Sequence, residues 1–142
     1  MVEGSVLVLA TFDIFHEEHA YFLNQAALLG PVVVGLGTDR YQKDYKRPPL
    51  RTYEERKALL RQLPMVHDVV PRESVDITPL LDELQPAWLV AGVDWVDGPF
   101  LEKSGITRAT LADRRINLAY ICSPRKVSST DIIRRFRTSG LG

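Results

Sequence analysis

A chain of 142 residues has the length of one domain and can bury a core of its own. Its 18 basic and 18 acidic side chains balance, so no overall field draws it to nucleic acid or to an anionic membrane. A single cysteine, Cys122, excludes an internal disulfide framework and a multi-cysteine zinc site; following an apolar run, it is expected as a buried thiol.

The first residues carry no basic segment and only a short apolar run. Neither a signal peptide nor a membrane span is expected, and a cytoplasmic setting is the default. Ser5 to Phe12 is apolar throughout and predicts a strand buried on both faces. His19 to Gly30 keeps Phe22, Leu23, Ala26 and Ala27 at helical spacing and ends on Gly30-Pro31. Val32 to Gly37 predicts a second buried strand, and the basic stretch after it a loop or short helix. Thr52 to Leu63 begins with a capping box, Thr52 as N-cap and Glu55 three residues on. Val66 to Pro71 predicts a third strand, Asp76 to Pro86 a short helix, and Trp88 to Gly92 a fourth strand. Helical material broken near Gly105 precedes a fifth strand, Ile116 to Ile121, and Ser128 to Thr138 predicts the last helix.

No repeat, low-complexity segment or linker interrupts this order, so residues 1–142 are expected to form a single domain. Strands and helices alternate five times, which predicts an α/β fold: a five-stranded parallel sheet between two helical layers. In such sheets ligands bind beyond the C-terminal strand ends, near the point where strand order reverses. Thr11, Asp13, His16 and His19 follow strand one; Thr38 and Asp39 follow strand two; Gly92 and Asp94 follow strand four; Ser128, Ser129 and Thr130 open the last helix. All are expected at one sheet edge.

His16 and His19 stand three residues apart, so at a helix start they share a face. As metal ligands they lack a third and fourth partner, because His67 is the only other histidine. As a general base, one would need a substrate proton within reach. As donors to a phosphate they need only a helix N-terminus, where backbone N–H groups already favour anions. The last role fits the location best; the bland alternative is a solvated pair in a first helical turn. Lys43, Lys46 and Arg47 are suited to clamping a phosphate, or form an ordinary solvated loop face. Val127 to Thr130 either donates to phosphate or only caps a helix.

Together, in order, these segments resemble a known family. "LATFDIFHEEH" is similar to G-T-F-D-x-x-H-x-G-H, "GTDRY" to an S-T-D-E segment, and "YEERKALLRQL" with "HDVVP" to an E-x-R helix and the strand after it. "LVAGVDW" is similar to V-x-G-x-D-W, and "VSSTDII" to I-S-T-T-x-I. The chain thus resembles the small cytidylyltransferase-like nucleotidyltransferases, most closely the glycerol-3-phosphate cytidylyltransferase type, over nearly its whole length. The resemblance implies a Rossmann-like three-layer fold. It also implies a reaction in which a phosphorylated small-molecule acceptor attacks the α-phosphorus of a nucleoside triphosphate and pyrophosphate leaves.

Carried onto this chain, the resemblance makes His16, His19, Lys46 and Arg56 catalytic. It gives Ala10, Thr11, Phe12, Asp13, Gly92, Asp94, Arg125, Ser128, Ser129 and Thr130 to the nucleotide. It implies Mg²⁺, held by phosphate oxygens and by Asp13. CTP is favoured over ATP, with a glycerol-3-phosphate-like alcohol phosphate as acceptor, although adenylyltransferases acting on heptose phosphate or FMN share the motifs. A homodimer is expected, with no nucleic-acid or membrane partner. The chain departs from the pattern at Glu18, which stands at the motif's second glycine, and at Ser123, which stands at an arginine. Those two positions motivate the alternative of a nucleotide-binding module with impaired turnover.

Overall fold

The computed structural model describes residues 3–13, 15–45, 49–92 and 100–122. The chain order is β1 (Val6–Ala10), α1 (Glu17–Ala27), β2 (Val32–Gly37), α2 (Asp39–Tyr45), α3 (Tyr53–Arg61), β3 (Val66–Arg72), α4 (Thr78–Leu84), β4 (Trp88–Gly92), α5 (Phe100–Lys103), α6 (Arg108–Asp113) and β5 (Asn117–Ile121). The predicted last helix, Ser128 to Thr138, lies outside the described residues.

The five strands form one sheet in the order β3-β2-β1-β4-β5, and every neighbouring pair is parallel. The expected α/β fold is therefore what the chain adopts. Its strands are rich in Val and Leu because both sheet faces are covered. Side chains alternate along β1: Val6 and Val8 join Leu23 and Ala26 of α1 and Leu60 of α3 in one core. Leu7 turns to the opposite core, with Leu81 of α4, Phe100 of α5 and Leu111 of α6. Order reverses between β1 and β4, from which the chain winds outward in opposite directions. The register pairs Val8 with Val90, so Ala10 and Gly92 end their strands at the same level, two residues beyond.

The boundaries depart from the predicted ones where local hydrogen bonds outweigh the apolar pattern. The first strand stops at Ala10 rather than Phe12, because Phe12 takes a left-handed φ of 45° and turns the chain. The first helix begins at Glu17, two residues early, because His16 caps it. The basic stretch after β2 folds as α2. Thr52 caps α3 as expected, its hydroxyl accepting from Glu55 N at 3.1 Å while the Glu55 carboxylate accepts from Thr52 N at 2.9 Å. Gly105, at φ 68°, divides α5 from α6, where a Cβ would press on the Asp76 backbone. Cys122, expected to be buried, is exposed at the C-terminal end of β5.

Candidate active site

The predicted edge assembles from the loop after β1, the start of α1, the start of α2 and the segment leading into α3. His16 is the N-cap of α1, with extended backbone at φ −140° and ψ −179°. Its Nδ1 accepts a hydrogen bond from Glu18 N at 3.2 Å. In return, the His16 N–H donates to Nδ1 of His19 at 3.2 Å. Each ring thus takes over one of the orphan donors of the helix start, as Ser and Glu do in an ordinary capping box. The rings stack with centroids 3.8 Å apart and planes at 23°.

This cap fixes the tautomers. An Nδ1 that accepts carries no proton, so a neutral imidazole here holds its proton on Nε2. Both Nε2–H groups are left without a partner among the described residues, and both belong to a helix N-terminus, where the backbone favours anions. Burial, then the neighbouring His16, push His19 down from 6.5 to about 4, so it is neutral at pH 7. Beneath the pair lies an aromatic floor: Phe12 is 4.8 Å from the His19 ring and 5.5 Å from Phe15. Phe12 is buried, and its left-handed backbone is held by this packing.

Arg56 ties the edge together. Its side chain is wholly buried (0% exposed), and it donates from Nη1 to Thr11 O at 2.9 Å, from Nε to Arg51 O at 3.1 Å and from Nη2 to Asp39 Oδ1 at 2.9 Å. One planar fork thereby joins the loop after β1, the start of α2 and the approach to α3. The other oxygen of Asp39 accepts from Tyr53 N at 3.1 Å. Asp13 makes a second tie, its two oxygens accepting from Leu50 N at 2.8 Å and Arg51 N at 2.9 Å. Thr11 makes a third, its hydroxyl donating to Gln42 Oε1 at 3.0 Å. Gly37 leaves the room that Gln42 occupies, since a Cβ there would collide with the amide.

The structure therefore brings together Ala10, Thr11, Phe12, Asp13, His16, His19 and Arg56 and sets Gly92 on the adjoining strand. Several already have protein partners. The Arg56 guanidinium donates to protein groups from all three of its nitrogens. Phe12 supports His19 from below. The Thr11 hydroxyl is engaged by Gln42, and both Asp13 oxygens carry a backbone N–H. Lys46, Asp94, Arg125, Ser128, Ser129 and Thr130 lie outside the described residues.

One contributor carries no sequence signal of its own, and a second carries only part of one. Gln42 is a buried amide in a polar stretch, visible only once β1 and β2 are known to be neighbours. Asp39 is legible as a residue after a strand, but its pairing with Arg56 is not.

Glu18, where the resemblance expects glycine, is in the first turn of α1, and its Oε1 is enclosed without a hydrogen-bond partner among the described residues. No group of three or more His, Cys, Asp or Glu among the described residues converges on a metal position. No described helix is long and apolar enough to cross a membrane.

Residues 7–135 match the family model described as Cytidylyltransferase-like. The chain belongs to that family. Cytidylyltransferase-like relatives differ in how much of their length they share with it. An FAD synthase of Pyrococcus abyssi is 30% identical over 133 residues, 92% of this chain and 90% of that one. A glycerol-3-phosphate cytidylyltransferase of Bacillus spizizenii is 34% identical over 70 residues, 49% of this chain and 54% of its own. The Bifunctional protein HldE of Vibrio parahaemolyticus is 36% identical over 96 residues, 66% of this chain but 20% of its own. The chain therefore spans about half of that cytidylyltransferase and a fifth of HldE. Among solved structures, a lipopolysaccharide core biosynthesis protein of Thermoplasma volcanium shares the fold, with a TM-score of 0.64 at 22% identity, covering 82% of this chain and 94% of that one.

Proposed function

We propose that this member of the family transfers CMP from CTP to a phosphorylated small alcohol resembling glycerol 3-phosphate, with release of pyrophosphate. The observation that carries the reading is the histidine cap: two stacked imidazoles whose Nδ1 atoms are committed to backbone N–H groups and whose Nε2–H groups are not.

An oxygen of the acceptor phosphate donates a lone pair to the α-phosphorus, and the bond from that phosphorus to the bridging oxygen breaks. Pyrophosphate leaves with the electron pair. The nucleophile is already an anion, so no side chain need take its proton. The barrier falls through in-line positioning and stabilisation of charge on the phosphoryl oxygens. His16 and His19 do this by donating from Nε2, and His19, neutral at pH 7, donates without bringing a charge of its own. Arg56, Asp13 and the Thr11–Gln42 bond hold the loop on which the rings stand.

Mg²⁺ fits this set as a metal carried in by the triphosphate. Asp13, each of whose oxygens accepts a backbone N–H, is the carboxylate that would join a metal otherwise held by phosphate and water. When bound, it would neutralise phosphate charge.

A second reading rests on the FAD synthase of Pyrococcus abyssi, which matches over nine-tenths of both chains: AMP transfer from ATP to FMN or a sugar phosphate. Pyrophosphate release with Mg²⁺ separates the two. CTP and ATP are supplied in separate reactions, each with glycerol 3-phosphate, other polyol and sugar phosphates, and FMN. Release requiring CTP and a polyol phosphate is expected. Release requiring ATP and FMN would replace the first reading with the second. Nucleotide binding without release in any pair would sink both in favour of the impaired module, and Glu18→Gly would then be expected to restore turnover.

A further inference from the structure

Beyond the C-terminal end of β2 lies a cleft of ≈ 560 Å³, walled by Asp39, Arg40 and Lys43 of α2 and by Leu50 and Arg51 of the segment that leads into α3. Its charge is one-sided. Asp39 is already matched by the buried guanidinium of Arg56 at 2.9 Å. Arg40, Lys43 and Arg51 form no ion pair among the described residues. In a chain whose formal charges cancel, three cations around one concavity repel one another until an anion enters. Two of them are arginines, whose forks match phosphate oxygens in pairs.

The cleft is also joined to the histidine loop. Its wall is fastened there by the bonds from Leu50 N and Arg51 N to the Asp13 carboxylate. Asp13 and His16 are three residues apart, so their backbones are separated by no more than about 10 Å. Asp13 thereby holds the cleft wall and the histidine loop to one another on the same edge of the sheet.

We propose that this cleft seats a second phosphate of the acceptor. The acceptor is a bisphosphorylated small molecule: one phosphate attacks the nucleotide, and the other is held by Arg40, Lys43 and Arg51. Leu50, largely exposed on the same wall, covers the carbon chain between them. The inference rests on the nucleotidyl-transfer reading, in which the acceptor's first phosphate attacks the nucleotide whose phosphoryl oxygens the histidines hold.

Titration calorimetry of the full chain with pentane-1,5-diol bisphosphate and with pentyl phosphate tests it without requiring turnover. The bisphosphate is expected to bind about ten-fold tighter or better. In the triple variant Arg40→Ala, Lys43→Ala, Arg51→Ala that preference should fall below about two-fold, with the melting transition retained. Equal affinity for the two probes in the unaltered protein would overturn the proposal, and so would a preference that survives in a folded triple variant. If the triple variant does not fold, the single variants Lys43→Ala and Arg51→Ala decide: each must lose at least about half of the preference. Pyrophosphate release is measured separately. Its failure with every pair while the preference holds overturns the transfer reading and leaves the cleft assignment supported.

Discussion

In the proposed reaction His16 serves the fold and the chemistry from opposite edges of one ring, and substitutions can separate the two. His16→Ala removes both: the cap loss costs about 1 kcal/mol, and the loss of a donor to developing charge is expected to cut transfer by about 100-fold or more. His16→Asn replaces the cap acceptor but not the Nε2–H. It should melt within a few degrees of the unaltered protein while transferring as poorly as the alanine variant, as read by thermal melts and pyrophosphate release. Near-normal turnover in either would remove His16 from the chemistry. His19 gives a pH signature. As pH falls below its ordinary 6.5, the unfolded chain takes a proton on this imidazole, but the folded one resists until about 4. Stability is therefore full above 6.5 and declines between 6.5 and 4, by about 1–2 kcal/mol once solvent screening of a half-exposed ring is allowed for. Urea unfolding at stepped pH should show that decline, and His19→Asn should flatten it.

The elements meeting at this edge were legible to the degree that their signals were local. Thr52 and Glu55 announce α3 because both halves of that box are short-range and made of ordinary capping residues. The same geometry at α1 is hidden in the sequence because histidines perform it, and so the apolar pattern points to His19 instead of Glu17 as the helix start. The stretch after β2 reads equally as loop or helix because its polar side chains give no apolar stripe, although Tyr41 and Gln42 are buried. Arg56 was visible as part of a helical motif, but its partners come from three separate segments and only the strand order brings them together. A lysine preserves the charge and loses the fork: it cannot reach Thr11 O, Arg51 O and Asp39 Oδ1 from one plane. Arg56→Lys is accordingly expected to lose about 2–3 kcal/mol in urea unfolding, less than a fully enclosed pair would because Asp39 is 50% exposed. The same change should lower kcat, since the histidine loop loses its tie. A lysine variant with unchanged stability would show that the fork is not what holds this edge.

At the scale of the molecule, alternation of strands and helices was enough to predict a parallel sheet, because an apolar run between helical segments has few other places to go. Strand order was not readable from it, and that order decides where the reversal point falls and which loops face each other. The sheet also divides the interior, and this gives stability and activity different addresses. The core under α4, α5 and α6 contains Leu7, Leu81 and Leu89; the opposite core contains Phe12, with Phe15 packed against it, directly beneath the His19 ring. Leu81→Ala empties space in the first core and should cost about 2–5 kcal/mol. At temperatures where the variant remains folded, its KM and kcat should match those of the unaltered protein, because its core lies on the other side of the sheet from Phe12. Phe12→Leu is the converse case. It should cost only about 1 kcal/mol while lowering kcat several-fold, since the floor that fixes the His19 ring is gone. Urea midpoints paired with steady-state kinetics would read both variants. If Leu81→Ala lowered activity in proportion to its stability loss, the two cores would have to act as one unit, and the separation of scaffold from site across the sheet would fail.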